Sequence, residues 1–244
     1  REVMSMNVND TLRGMELCAL AYKEVQPQFP GMTLEVIDDE NGVQCYLRRQ
    51  GDTLFITFRG SNSAKDWKVD LTFFKTCIPY DICNPKIRVH SGFLNAYKRP
   101  SVRNRIHCAV TSDVRHVRVA GHSYGAALAV LCAVDLEYHY PCLDYEVLLF
   151  GCPRVGNRAF RKSYNKRVFK TLRVENGNDI VTKVPPALWG FRHVGVKIHV
   201  GAPRLPGGVS LNQHRPQYYV ASLFRQFLPQ GLFNENSIDK PAWP

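Results

Sequence analysis

The run Val117-Arg-Val-Ala-Gly-His-Ser-Tyr-Gly-Ala-Ala-Leu-Ala-Val-Leu-Cys132 constrains the fold more than any other part of the chain. It passes from a strand-like stretch through Gly-x-Ser-x-Gly into an apolar helix. A serine on so sharp a strand-to-helix turn projects its hydroxyl clear of a sheet, and glycines at 121 and 125 leave room where a side chain would collide. The helix that follows aims its unpaired N–H groups at any negative charge nearby. The five-residue string alone recurs by chance, but here Val117, Val119 and Ala120 precede it as a strand. Leu128, Leu131, Val134 and Tyr138 follow at helical spacings. Ser123 is therefore the nucleophile candidate.

The rest of the chain reads as alternating elements. Asn9-Asp10 can cap a helix with Leu12, Met15, Ala19 and Tyr22 on one stripe, ended before Pro27. Val43–Arg49 and Thr53–Arg59 are β-rich runs joined through Gln50-Gly51-Asp52 as a hairpin. Residues 93–110 read as largely helical despite Pro100, and Tyr145–Phe150, Val168–Val174 and Val194–Val200 supply further strands. Pro216 can start a last helix bearing Tyr219, Leu223 and Phe227. The alternation predicts an α/β sheet covered on both faces. No linker, repeat or low-complexity tract divides the 244 residues, so 1–244 is read as one domain.

No apolar run reaches the eighteen residues of a membrane span. No signal-like stretch follows Arg1, which leaves an intracellular chain or a secreted one whose leader has been removed. Eight cysteines show no paired C-x-x-C spacing for zinc, so no metal or cofactor is implied, and Cys77 with Cys83 is the one pair spaced for a short bridged loop. The net charge of +11 is uneven. Residues 1–43 hold eight acidic and three basic side chains, whereas 154–173 hold eight Lys and Arg and no acid. Such a run is usually a solvated helix face; as a functional feature it would draw the chain to an anionic membrane or lipid-droplet surface. Nucleic acid is not an expected partner, since no recognition motif accompanies the patch.

A serine hydroxyl needs a base in contact with it and a carboxylate to orient that base, and after such an elbow the acid and the histidine follow in that order. Asp179, in a loop after a strand, is the best acid, with Asp144 and Glu175 as competitors. Order alone does not choose among the later histidines. His193 and His199 lie in or beside strand-like sequence, and His214 lies in the loop before the last helix. Stabilising the oxyanion takes two N–H donors, for which Tyr124 and Ser61, in Phe58-Arg-Gly-Ser61, are the candidates.

With these pieces in order, the chain resembles the class 3 lipases, the fungal-lipase-like family of α/β-hydrolases. The likeness runs from about residue 40 to 222. It rests on Phe58-Arg-Gly-Ser61 with Asp66-Trp67 and Asp70-Leu71, Val89-His-Ser-Gly-Phe93, Gly121-His-Ser-Tyr-Gly125, Phe150-Gly-Cys-Pro-Arg-Val-Gly-Asn157, Asn178-Asp-Ile-Val181 with Pro185-Pro186, and His193-Val-Gly195. The resemblance implies an α/β-hydrolase fold, with a central, mostly parallel mixed sheet flanked by helices and a short helical lid. It implies Ser123 as nucleophile, Asp179 as orienting acid, His214 as base, and Ser61 and Tyr124 as oxyanion donors. Tyr124 stands where the family often has Leu and Ala126 where it has a second glycine, departures that reshape the acyl pocket more than the chemistry.

By the same resemblance Ser63–Phe74 occupies the place of the lid, with Trp67, Leu71 and Phe74 at helical spacing. The expected activity is hydrolysis of acyl-lipid esters by a triacylglycerol or acylglycerol lipase. Phospholipase A1, a soluble esterase, acyl transfer to an alcohol, and a non-catalytic lipid-binding module are the alternatives.

Overall fold

The computed structural model describes residues 8–40, 42–61, 74–80 and 85–227. Helix α1 (Val8–Leu20) leads into a meander of β1 (Thr33–Asp38), β2 (Gln44–Gln50) and β3 (Thr53–Phe58). Strands β4 (Lys75–Cys77) and β5 (Arg88–His90) precede helices α2 (Ser91–Tyr97) and α3 (Pro100–Ala109). Strand β6 (His116–His122) then enters helix α4 (Tyr124–His139), followed by β7 (Asp144–Phe150) and the short β8 (Gly156–Asn157). The remaining elements are α5 (Arg158–Arg167), β9 (Thr171–Asn176), β10 (Phe191–Arg192), β11 (Val196–Val200) and α6 (Pro216–Phe227).

Seven strands form one sheet in the order β1-β2-β3-β6-β7-β9-β11. The first three pair antiparallel and every pairing from β3 onward is parallel. A smaller antiparallel sheet, β10-β8-β5-β4, stands beside it.

In β6 and β7 the C-terminal halves, Val119–His122 and Val147–Phe150, are buried because both faces of the sheet are covered there. Along β7, Val147 and Leu149 join the core under α4, while Leu148 and Phe150 join a second core with Leu12 and Met15 of α1 and Tyr219 and Leu223 of α6. The period of two thus divides one strand between two hydrophobic layers. Helix α4 is buried from Gly125 to Leu136, which explains a sequence that is apolar on every side. Among the described residues no helix is long and apolar enough to cross a membrane.

The stretch 93–110 is largely helical as expected, in two helices, because Pro100 holds Arg99 in an extended conformation and takes the first position of α3, where its missing N–H costs nothing. One expectation needs correction, the bridged loop of Cys77 and Cys83. Cys77 is a free thiol facing the Pro85 carbonyl at 3.4 Å, and Cys83 lies outside the described residues.

Candidate active site

Ser123 has φ 59° and ψ −129° and is the one non-glycine residue with positive φ among those described. An L-residue held there costs about 1–3 kcal/mol, sustained by the packing around it. A Cβ at Gly121 would lie 2.4 Å from the Gly125 carbonyl oxygen, and one at Gly125 would lie 2.4 Å from that of Phe58. Both glycines are steric requirements of a turn in which strand and helix backbones almost touch. The Ser123 N–H donates to the Phe150 carbonyl at 2.9 Å, anchoring the turn to the next strand.

The C-terminal ends of β6, β9 and β11 bring Ser123, Asp179 and His214 together. The Ser123 Oγ lies 2.7 Å from His214 Nε2, and His214 Nδ1 lies 2.8 Å from Asp179 Oδ2. All hydrogen bonds of this line are compatible with a neutral imidazole that donates from Nδ1 and accepts at Nε2. The loop bearing His214 is stitched to the loop bearing Asp179. The Ser210 N–H donates to the Asn178 carbonyl at 2.9 Å, and Gln213 Oε1 accepts the Asn178 N–H at 2.6 Å.

Asp179 is 1% exposed. Burial pushes its carboxyl up, but the hydrogen bond and charge of His214, the Tyr219 hydroxyl at 2.6 Å and the Val181 N–H at 2.8 Å outweigh burial and hold it below the usual carboxylate range. The competitors Asp144 and Glu175 are engaged elsewhere, with Lys170 at 2.6 Å and with Arg173 and Arg204. His193 is also structural in its contacts, its Nε2 lying 2.8 Å from the Thr182 carbonyl, and His199 Nε2 lies 2.9 Å from the Ala202 carbonyl.

Three contributors escaped the sequence reading. His122, the variable residue of the motif, stacks on His214 with ring centroids 4.7 Å apart. Its Nε2 lies 2.8 Å from the His214 carbonyl and its Nδ1 2.7 Å from the Tyr22 hydroxyl. Burial, then the neighbouring His214 ring, pushes its pKa down to about 3, so it stays neutral, donating to the carbonyl and accepting from Tyr22. Tyr22 also presses on Gly60, where a Cβ would meet its hydroxyl oxygen at 2.2 Å and Ser123 Cβ at 3.0 Å. One tyrosine and one histidine thus join the Arg59-Gly60-Ser61 loop, the Ser123 turn and the His214 loop. Tyr219, expected only as an apolar stripe residue, is the third, and no local signal in the sequence marks its bond to Asp179.

Ser61 follows Gly60, whose Cβ position lies 3.0 Å from Ser123 Cβ, and Tyr124 follows Ser123 at the start of α4. Phe74 is exposed, while Trp67 and Leu71 lie outside the described residues. One group of metal-ligand type occurs among the described residues, His107, Asp135 and His139. The Arg103 guanidinium already bridges both Asp135 oxygens at 2.7 and 3.0 Å, so that carboxylate is neutralised without a metal.

Residues 55–189 match the family model described as Lipase (class 3). The chain belongs to the class 3 lipases. A lipase of Rhizomucor miehei is 38% identical over 151 residues, covering 59% of this chain and 40% of that protein. The chloroplastic phospholipase A(1) DAD1 of Arabidopsis thaliana is 35% identical over 147 residues, covering 53% of this chain and 33% of that protein. The matches thus span two fifths or less of these two relatives. The solved structure of the Rhizomucor miehei triacylglyceride lipase superposes with a TM-score of 0.69 at 26% identity, covering 80% of each chain. The class 3 assignment and the superposed structure bear out the α/β-hydrolase expectation.

Proposed function

We propose that this class 3 lipase is a serine carboxylic-ester hydrolase acting on acyl lipids. The observation that carries the reading is the continuous line from Ser123 Oγ through His214 to Asp179, at 2.7 and 2.8 Å. In this reading His214 Nε2 takes the hydroxyl proton as Ser123 Oγ attacks the ester carbonyl carbon. The backbone N–H groups of Ser61 and Tyr124 hold the oxyanion as it forms. The tetrahedral species collapses, the C–O bond to the alcohol breaks, and His214 returns its proton to the departing oxygen. Water, deprotonated by the same imidazole, then attacks the acyl-enzyme and releases the fatty acid. Asp179 keeps Nδ1 protonated and stabilises the imidazolium without taking the proton itself.

Acylglycerols are the proposed substrates. Phospholipids are the second reading, favoured by the likeness to a phospholipase A(1). A phosphonate-ester probe should label the wild type at one residue and leave Ser123→Ala unlabelled. Labelling that persists in the variant would overturn the assignment.

A further inference from the structure

The chain is anchored unequally on the two sides of His214. After it, α6 is packed into the core through Tyr219 and Leu223. Ahead of it, the short helical turn Asn212–His214 contains no buried residue, and the 201–211 loop leading into that turn carries Leu205, Val209 and Leu211 more than half exposed. A segment with so few buried apolar contacts is placed by its polar bonds or not at all. Hydrogen bonds therefore decide where the imidazole stands.

Those bonds converge on the residue ahead of Asp179. Asn178 donates its N–H to Gln213 Oε1 at 2.6 Å, accepts the Ser210 N–H at its carbonyl at 2.9 Å, and accepts the Leu205 N–H at Oδ1 at 2.9 Å. Gln213, the residue ahead of His214, adds a second bond to the same loop, its carbonyl accepting from Asn176 Nδ2 at 2.9 Å. Its own N–H donates to Ser210 Oγ at 3.1 Å. At Gly177, with φ +50°, a Cβ would lie 2.6 Å from Gln213 Oε1 and 2.7 Å from its Cδ, so the loop of the acid leaves that space open for the amide. The two residues that immediately precede Asp179 and His214 thus clasp one another. Asn176 and Asn178 are both buried, so an N–H released there finds no water in place of the amide oxygen.

We propose that Gln213 is a positioning residue for ester hydrolysis: its amide oxygen, held by the Asn178 N–H, fixes the reach of His214 toward Asp179 and Ser123. The inference rests on the reading of Ser123, His214 and Asp179 as a hydrolytic line. Among the described hydrogen bonds none joins Gln213 to Ser123 or to the Asp179 carboxylate, so it acts through the imidazole beside it. The line of 2.7 and 2.8 Å tolerates displacement of about half an ångström. A turn without apolar anchors exceeds that once the bond one residue from the imidazole is lost.

Three substitutions test this. Gln213→Met removes the acceptor at similar length, Gln213→Asn keeps the amide but shortens its reach, and Gln213→Glu keeps an acceptor oxygen at the original reach. On p-nitrophenyl butyrate, Gln213→Met and Gln213→Asn should lose about 10- to 100-fold in kcat with KM within about twofold, and Gln213→Glu should recover most of that loss. Thermal melts identify the folded variants, and Gln213→Asn, the smaller change, keeps the comparison open if Gln213→Met does not fold. A second readout needs no turnover. The His214 Nδ1–H held by Asp179 should give a far-downfield proton NMR signal that shifts upfield or exchanges away in Gln213→Met and Gln213→Asn and persists in Gln213→Glu. Folded Gln213→Met and Gln213→Asn with kcat within about twofold of wild type, a loss confined to KM, or a Gln213→Glu as impaired as Gln213→Met would overturn the proposal. Wild-type cleavage with unimpaired variants removes this inference and leaves the hydrolase reading. A downfield proton that depends on Gln213 in a wild type that cleaves no ester keeps the clasp and removes that reading.

Discussion

Replacing Gly151 by alanine separates the cost of a backbone conformation from the cost of displacing the catalytic line. Gly151 has φ +58°, and a Cβ there would lie 2.9 Å from both His214 Cε1 and Nδ1 and 3.0 Å from Asp179 Oδ2. Ordinary contact begins near 3.4 Å, so the imidazole and carboxylate must move apart by about half an ångström, the tolerance within which catalytic constellations have to be held. Misplacement on this scale lowers turnover by about 10- to 100-fold, or about 1.4–2.7 kcal/mol in the barrier. Alanine in the left-handed region costs a further 1–2 kcal/mol or so of stability, about 2–8 °C in melting temperature for a chain of this size. Gly207→Ala supplies the comparison, since Gly207 has φ +71° with nothing within 4 Å of its Cβ position. Both variants should lose similar stability in thermal melts, but only Gly151→Ala should lose kcat on a soluble p-nitrophenyl ester. Gly151→Ala turning over within twofold of wild type, or Gly207→Ala equally impaired, would refute the reasoning.

Tyr219→Phe should lower kcat roughly tenfold with KM within about twofold, because it removes the 2.6 Å hydrogen bond that helps keep Asp179 ionised while leaving the substrate side untouched; unchanged kcat would remove Tyr219 from the positioning of the acid. Stability should fall on acidification below about pH 6.5, the ordinary histidine value. Burial, then neighbouring charge from His214 in one case and from Arg173 and Arg154 in the other, lowers His122 to about 3 and His193 to about 2. Between those limits and pH 6.5 the unfolded chain binds protons that the folded chain does not, which removes up to about 1.4 kcal/mol per pH unit for each histidine. Urea midpoints should therefore drop steadily from pH 6.5 to pH 4, less steeply in His193→Gln, and a flat profile would contradict the burial of both rings.

What could be read in the sequence was whatever geometry is local or repeats along one element. The elbow at Ser123 is legible because five consecutive residues enforce it, and β6 and β7 because strands buried on both faces keep polar residues out of their centres. Pro100 was visible, but whether it kinks one helix or starts another depends on Arg99 adopting an extended conformation, which the spacing of apolar residues over 93–110 does not encode. The basic run at 154–173 is legible only in part for a related reason. Charge density along a chain is read directly, whereas the partners that consume Arg167 and Lys170 come from α4 and β7, and their pairing exists only once the sheet has formed. The same holds for the second layer of the site. Tyr22 and His122 are 100 residues apart, and Tyr219 and Asp179 are 40 apart. Each of these bonds costs loop closure that hydrophobic assembly has already met, so the sequence around either partner carries no trace of it. The turn of the proposed nucleophile is therefore written in one segment, while the groups that hold the proposed base and acid in register are properties of the packed molecule.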